Sequence, residues 1–278
     1  LVRFYPEGKL LAHALGFVTV AGDSYYGLEE KYSDFLQGKP GSLPRWQGEE
    51  LLAEDFSIYL PSEAGHDLIL TIDRGIQHIV ERALAEAVES SGAEGGTIIV
   101  MAPTGAILAI ASYPAYNPNE YQKYNDASIF TDPAISRFYE PGSVFKIITM
   151  AIGLDTGTAT PESVFDDPGK LEVGGHVFRN ADRQAHGQVT ATDILALSLN
   201  VGIARLGEKI GSDVFYKYLP RFGFDSKTGV DLPHEVDGLV KFPGDPNWSW
   251  SDLIANTFGQ GISVTPLQMI TAVAAVAN

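Results

Sequence analysis

Between Val144 and Leu154 the side chains are apolar throughout except at Lys146 and Thr149. A helix that is greasy on every side has to be wrapped by protein. This stretch therefore demands a chain large enough to enclose it and a reason for one ammonium inside. Pro141 and Gly142 mark its entrance, so residues 143 to 154 are predicted to be helical, with Gly157 as terminator. Ser143 and Lys146 then stand one turn apart on one face, with Cβ atoms about 5 to 6 Å from each other. Ser143 falls in the first turn, where unpaired N–H groups and the positive end of the helix dipole favour a developing alkoxide. Burial disfavours the ammonium form, and a cost on the order of 4 kcal/mol yields a neutral amine able to take the serine proton. The same residues also fit a lysine that snorkels out of a buried helix while Ser143 serves only as a cap. From these residues alone both readings stand.

The length of 278 residues and a hydrophobic content of 45% suit one large globular domain plus a smaller module. Acidic residues outnumber basic ones by 35 to 19, a net charge of −16, which argues against nucleic acid or an anionic membrane surface as partner. There are no cysteines, so disulfides, thiol nucleophiles and thiolate metal sites are excluded. The six histidines are scattered without ligand spacing, and no metal is predicted. No run approaches the roughly 18 apolar residues that cross a bilayer. The chain opens at Leu1 and stops at Asn278 in mid-pattern, which reads as a piece of something longer.

Residues 1–65 are read as a small mixed module whose Gly-, Pro- and Ser-rich end passes through the polar RWQGEE segment into a linker. Residues 66–278 form the larger domain. LILTID at 68–73 alternates like a short strand, and Asp73 can cap the helix spelled by GIQHIVERALAEAVESSG, which Gly92 closes. GGTIIVMAPTGAILAIASYP has the signature of a hairpin turning at Ala102-Pro103-Thr104-Gly105. Residues 191 to 211 read as two helices meeting near Leu199-Asn200, the first capped by Thr190 or Thr192 and the second ended by Gly211. DVFYKYLPRFGF is a further amphipathic segment, and TPLQMITAVAAVAN begins an apolar helix with Pro266 in its first turn.

Ser198-Leu199-Asn200 interrupts an apolar helical stretch, and a hydroxyl and a carboxamide at that spacing can both face a cleft from the turn between two helices. Taken singly, such a pair is more often a cap. Together with Ser143 and Lys146 it completes the order S-x-x-K then S-x-N, which penicillin-binding proteins and serine β-lactamases share. RFYPEGKLLAHALGFV, LTIDRGIQ, the APTGAILAIASYP hairpin, EPGSVFKI, TGVDLPHE and FGQGISVTPLQM all resemble the class B, monofunctional penicillin-binding proteins of elongation, division or sporulation. The resemblance runs through nearly the whole chain. A β-lactamase is not expected to carry the RFYPEGK or TPLQ segments.

By that resemblance the fold is an α/β (α+β) arrangement of the penicillin-binding protein transpeptidase and serine β-lactamase-like type, an antiparallel sheet flanked by helices with an all-helical subdomain. Ser143 is the acylated nucleophile and Lys146 its general base, while Ser198 and Asn200 relay the proton and bind substrate. The implied reaction is D,D-transpeptidation of peptidoglycan stem peptides ending in D-Ala-D-Ala, blocked by β-lactam antibiotics and needing no cofactor. The resemblance also implies a membrane anchor upstream of this chain, an extracytoplasmic location and a membrane glycosyltransferase partner. A serine β-lactamase and a non-catalytic penicillin-binding scaffold are the alternatives.

Lys227-Thr228-Gly229 fits the third family motif letter for letter, but Gly223, Asp225, Ser226, Gly229 and Pro233 crowd around it and favour a turn over a strand. In the family the true K-[ST]-G follows the TPLQ helix, so the working motif is expected beyond Asn278. Among other polar residues, Asp182, His186 and Gly187 resemble a family loop before the second motif, with His186 expected to order it and a place lining the cleft as the alternative. Glu140 is expected to tether the nucleophile's loop. Trp248 and Trp250 read as surface packing, and Arg3, Tyr5 and Pro6 as a pedestal contact.

Overall fold

A computed structural model of the chain describes residues 3–39, 41 and 61–278. The RWQGEE segment lies outside the described residues. Near the N-terminus come α1 (Ala12–Leu15), β1 (Phe17–Val18) paired with β2 (Ser24–Tyr25), α2 (Gly27–Lys31) and α3 (Ser33–Leu36). Leu11 and Ala14 join Ile110, Ala134, Ile135, Leu232 and Leu267 in one apolar cluster. Tyr5 and Phe17 join Tyr116 and Phe130 in another. Arg3 and the Tyr5 hydroxyl both bond Glu29, at 3.0 and 3.3 Å.

Helix α4 (Arg74–Ser91) starts where the Asp73 carboxylate accepts from Ile76 N and ends at Gly92 in the left-handed conformation, φ 67°. Its buried stripe Gln77, Val80, Leu84 and Val88 packs on the hairpin β3 (Gly96–Met101) and β4 (Ile107–Tyr113). Gln77 is the polar member of that stripe. Its amide donates to Ile110 O at 2.8 Å and accepts from Ile110 N at 2.9 Å, so the helix closes the outer edge of β4 itself. This explains why the strand expected at 68–73 does not form. The segment's hydrogen bonds to β4 run from Thr71 Oγ1 to Ile107 O and from Asp73 N to Leu108 O, Ile72 packs in the apolar cluster with Ile110, and Ile69 is 99% exposed.

The other face of the hairpin meets α5 (Pro133–Ser136) and, at the end of the chain, α11 (Pro266–Ala277), which a Thr265–Gln268 capping box begins. Between these lies the helical subdomain: α6 (Lys146–Asp155), α7 (Ala191–Ala196), α8 (Asn200–Ile210), α9 (Ser212–Tyr218) and α10 (Trp250–Asn256). Its core is built from Phe145, Ile148, Ile152, Ile194, Ile203 and Leu206, among others. Two short antiparallel ladders attach to it, β5 (Val164–Asp167) with β8 (Gly187–Thr190) and β6 (Lys170–Val173) with β7 (His176–Arg179). The expected class holds, a mixed fold of antiparallel strands flanked by helices, but the subdomain expected to be all-helical also carries these two ladders. Among the described residues no helix is long and apolar enough to cross a membrane.

Candidate active site

The turn that carries Ser143 is a 3-10 segment, Gly142–Phe145, which runs directly into α6. A helix from 143 was expected, and the tighter winding brings side chains at i and i+3 into eclipse. The turn is braced from behind by the segment after α10. Gly142 N donates to Gly259 O at 2.9 Å, and Tyr139 and Val264 exchange both backbone bonds at 2.9 and 3.0 Å. Gly261 N donates to Glu140 Oε1 at 2.8 Å, so Glu140 does tether the loop. Gly259 has no substitute there, because an added Cβ would stand 2.3 Å from Gly142 O and its φ is +76°. Ser143 itself is exposed, beside exposed Phe138, Tyr139 and Val144.

Lys146 is enclosed by protein and is 1% exposed. Its Nζ donates to Ser198 O at 2.6 Å, to Asn200 Oδ1 at 2.7 Å and to Ser198 Oγ at 3.1 Å. None of these bonds goes to the Ser143 hydroxyl. Burial pushes the Lys146 amine down to about 8 from its ordinary value of 10.5. The neutral amine is therefore far more populated near neutral pH than in a solvated lysine.

Ser198 and Asn200 reach Lys146 because the α7–α8 junction is fixed at both ends. The Thr190–Asp193 capping box starts α7, and Leu199, buried, plugs the core just before α8. Ser198 takes a positive φ of 54° between them, a strained conformation for a residue with a side chain and one that recurs at functional turns. The Asn200 amide donates at 3.0 Å to Arg179 O at the end of β7, which leaves its oxygen for the lysine. Arg179 was not singled out by the sequence, since a backbone carbonyl leaves no side-chain signature, and Gly259 stood in the quoted FGQGISVTPLQM run without its approach to Gly142 being foreseen.

The remaining expected residues fall outside this cluster. Lys227 lies exposed on a turn in which Thr228 N, Thr228 Oγ1 and Gly229 N all bond Glu235, so the triplet forms no strand. His186 Nε2 meets Asp182 Oδ2 at 2.9 Å, an ordering contact within its own loop. Gln184 N–H, and then His186, hold the Asp182 carboxyl below the usual range. Trp248 Nε1 donates to Tyr216 OH at 3.0 Å, whereas Trp250 opens α10.

The model of the penicillin-binding protein transpeptidase domain matches residues 95–278. Stage V sporulation protein D of Bacillus subtilis is 36% identical over an alignment of 282 residues that covers 100% of this chain and 43% of that protein. Peptidoglycan D,D-transpeptidase FtsI of Escherichia coli K12 is 32% identical, covering 96% of this chain and 45% of its own. Penicillin-binding protein 3 from Mycobacterium tuberculosis, solved in complex with aztreonam, superposes with a TM-score of 0.86 at 32% identity over 100% of this chain and 58% of that one. The chain thus spans less than half the length of these two protein relatives. Matched by the family over residues 95–278 and by these relatives along nearly its whole length, the chain belongs to the class B penicillin-binding proteins, the D,D-transpeptidase family.

Proposed function

We propose that this chain performs the acyl-transfer step of peptidoglycan cross-linking, with Ser143 as nucleophile, Lys146 as general base, and Ser198 and Asn200 as relay and substrate-binding groups. The observation that carries the reading is the buried Lys146 amine, held one turn from an exposed serine by three oxygens of Ser198 and Asn200. An ammonium uses all three of its protons in those bonds. A neutral amine has two, which suffice for the two shorter contacts; its lone pair then faces the Ser198 hydroxyl at 3.1 Å, and the amine has to turn from that contact to take the Ser143 proton.

In the first step Ser143 Oγ attacks the carbonyl of the penultimate D-alanine and its proton passes to Lys146. The amide C–N bond then breaks, and D-alanine leaves with a proton relayed through the Ser198 hydroxyl. An amine from a neighbouring stem peptide attacks the ester, gives up its proton by the same route, and frees Ser143. A β-lactam ring opens by the first step and leaves a stable acyl-enzyme. None of these steps calls for a cofactor.

Within the same reading, residues 1–65 are the end of an N-terminal pedestal and 66–278 belong to the transpeptidase domain. The protein works at the outer face of the bacterial cell membrane, beside a glycosyltransferase that supplies the glycan. Incubating the full-length protein with a fluorescent penicillin, and locating the adduct by peptide mass spectrometry, tests the proposal. A lasting adduct on Ser143 that disappears in Ser143→Ala is expected. Rapid loss of label would indicate a hydrolase instead, and no adduct on folded protein would indicate a scaffold.

A further inference from the structure

We infer that Asn180, locked by Asp167, is a positioning residue of the acyl-transfer site, fixing the peptide that turns the Asn200 carboxamide oxygen toward Lys146. The inference rests on the acyl-transfer reading above. Residues 179 and 180, at the end of β7, touch the first turn of α8 twice. Arg179 O accepts from Asn200 Nδ2 at 3.0 Å, and Asn180 Oδ1 accepts from Val201 N at 3.0 Å. The first contact decides which way the Asn200 amide faces. Were it reversed, its oxygen would oppose the Arg179 carbonyl and its NH2 would oppose the Lys146 amine, two donor-to-donor or acceptor-to-acceptor clashes in place of two bonds.

Asn180 is itself held on its other side. Its Nδ2 donates to Asp167 Oδ1 at 2.8 Å and to Gln184 O at 3.1 Å, and the same Asp167 oxygen accepts from Gly169 N at 2.9 Å. Asp167 is completely buried, and its Oδ2 has no hydrogen-bond partner among the described residues. An unpaired buried carboxyl oxygen is costly, and a neutral side chain would close the Gly169 turn with less penalty. What Asp167 adds is an acceptor, Oδ1, at one fixed point facing Asn180, while its Oδ2 packs against α8, 3.6 Å from where a Gly202 Cβ would lie. Neither residue reaches the Ser143 hydroxyl or Lys146. Their effect has to pass through Asn200.

The second-order rate of acylation of the full-length protein by a fluorescent penicillin reads this out. Asn180→Ala is expected to lower the rate roughly 10- to 100-fold, the scale of a small misplacement of catalytic groups, while circular dichroism shows it folded at the assay temperature. In an Asn200→Ala background the same change should cost less than about twofold more, since the group it orients is gone. Asp167→Ala should behave like Asn180→Ala, and Asp167→Asn, whose Oδ1 can still accept from Asn180, should restore most of the loss. A rate for Asn180→Ala within about twofold of wild type, or an undiminished loss in the Asn200→Ala background, overturns the inference. If Asn180→Ala does not fold, equal rates for Asp167→Ala and Asp167→Asn overturn it instead. Wild-type protein that takes no label sinks the acyl-transfer reading and the inference together, whereas labelled wild type with unaffected variants sinks only the inference.

Discussion

Two lysines of this chain sit in letter patterns used by the same family, and the fold treats them in opposite ways. Lys146 is 1% exposed and faces three oxygens from another pair of helices, while Lys227 stands exposed on a turn organised by Glu235. Desolvation brings the first amine to about 8, within reach of neutral pH. Lys227 has no such enclosure. The chemistry of a lysine motif therefore comes from what surrounds the amine, and the three letters around Lys227 describe a turn.

The contrast is broken or sharpened by a graded set of variants. Lys146→Ala should lower acylation by about a hundredfold to ten-thousandfold, the usual worth of a positioned general base, without unfolding the protein. Stopped-flow acylation with circular dichroism checks it. The pH dependence comes next. Because the reactive form is the neutral amine, and its folded pKa is lowered, the wild-type rate should climb about tenfold per pH unit from pH 6 and level off above about 8.

Gly259→Ala places a methyl 2.3 Å from Gly142 O and should displace the Ser143 turn, with a stability loss of about 1–3 kcal/mol in urea unfolding and a fall in acylation per folded molecule. Glu235→Ala strips the acceptor from Thr228 and Gly229 and should also cost about 1–3 kcal/mol, yet leave acylation per folded molecule unchanged. Lys227→Ala is the smallest change, within about 0.5 kcal/mol in stability and about twofold in acylation. A collapse of acylation in Lys227→Ala would reverse the comparison.

Much of this was legible locally. Asp73 and Gly92 bound α4 as their chemistry requires, the Ala102-Pro103-Thr104-Gly105 turn sits between β3 and β4, and the break between α7 and α8 falls at Leu199. Each of these signals lies within a few residues of the feature it sets. The ladders β5–β8 and β6–β7 were not legible, since of these four-residue strands only Lys170–Val173 alternates polar and apolar side chains, a run too short to distinguish, and Val164 pairs with Thr190 across the intervening chain. The strand expected at 68–73 failed because Gln77, a polar residue on a helix, took the hydrogen bonds that a strand would have used. At the site, Ser143, Lys146, Ser198 and Asn200 could be named from their order. The bonds from Lys146 to the α7–α8 junction, and the peptide at Arg179 that orients Asn200, depend on tertiary packing that no short motif encodes.

The central claim is the state of one amine, and side-chain NMR of Lys146 in the folded protein, with its signal assigned by loss in Lys146→Ala, measures it directly. A titration midpoint near 8 is the result this account requires. A midpoint at the ordinary lysine value of 10.5 would contradict it, for the amine would then be protonated whenever Ser143 had to be activated.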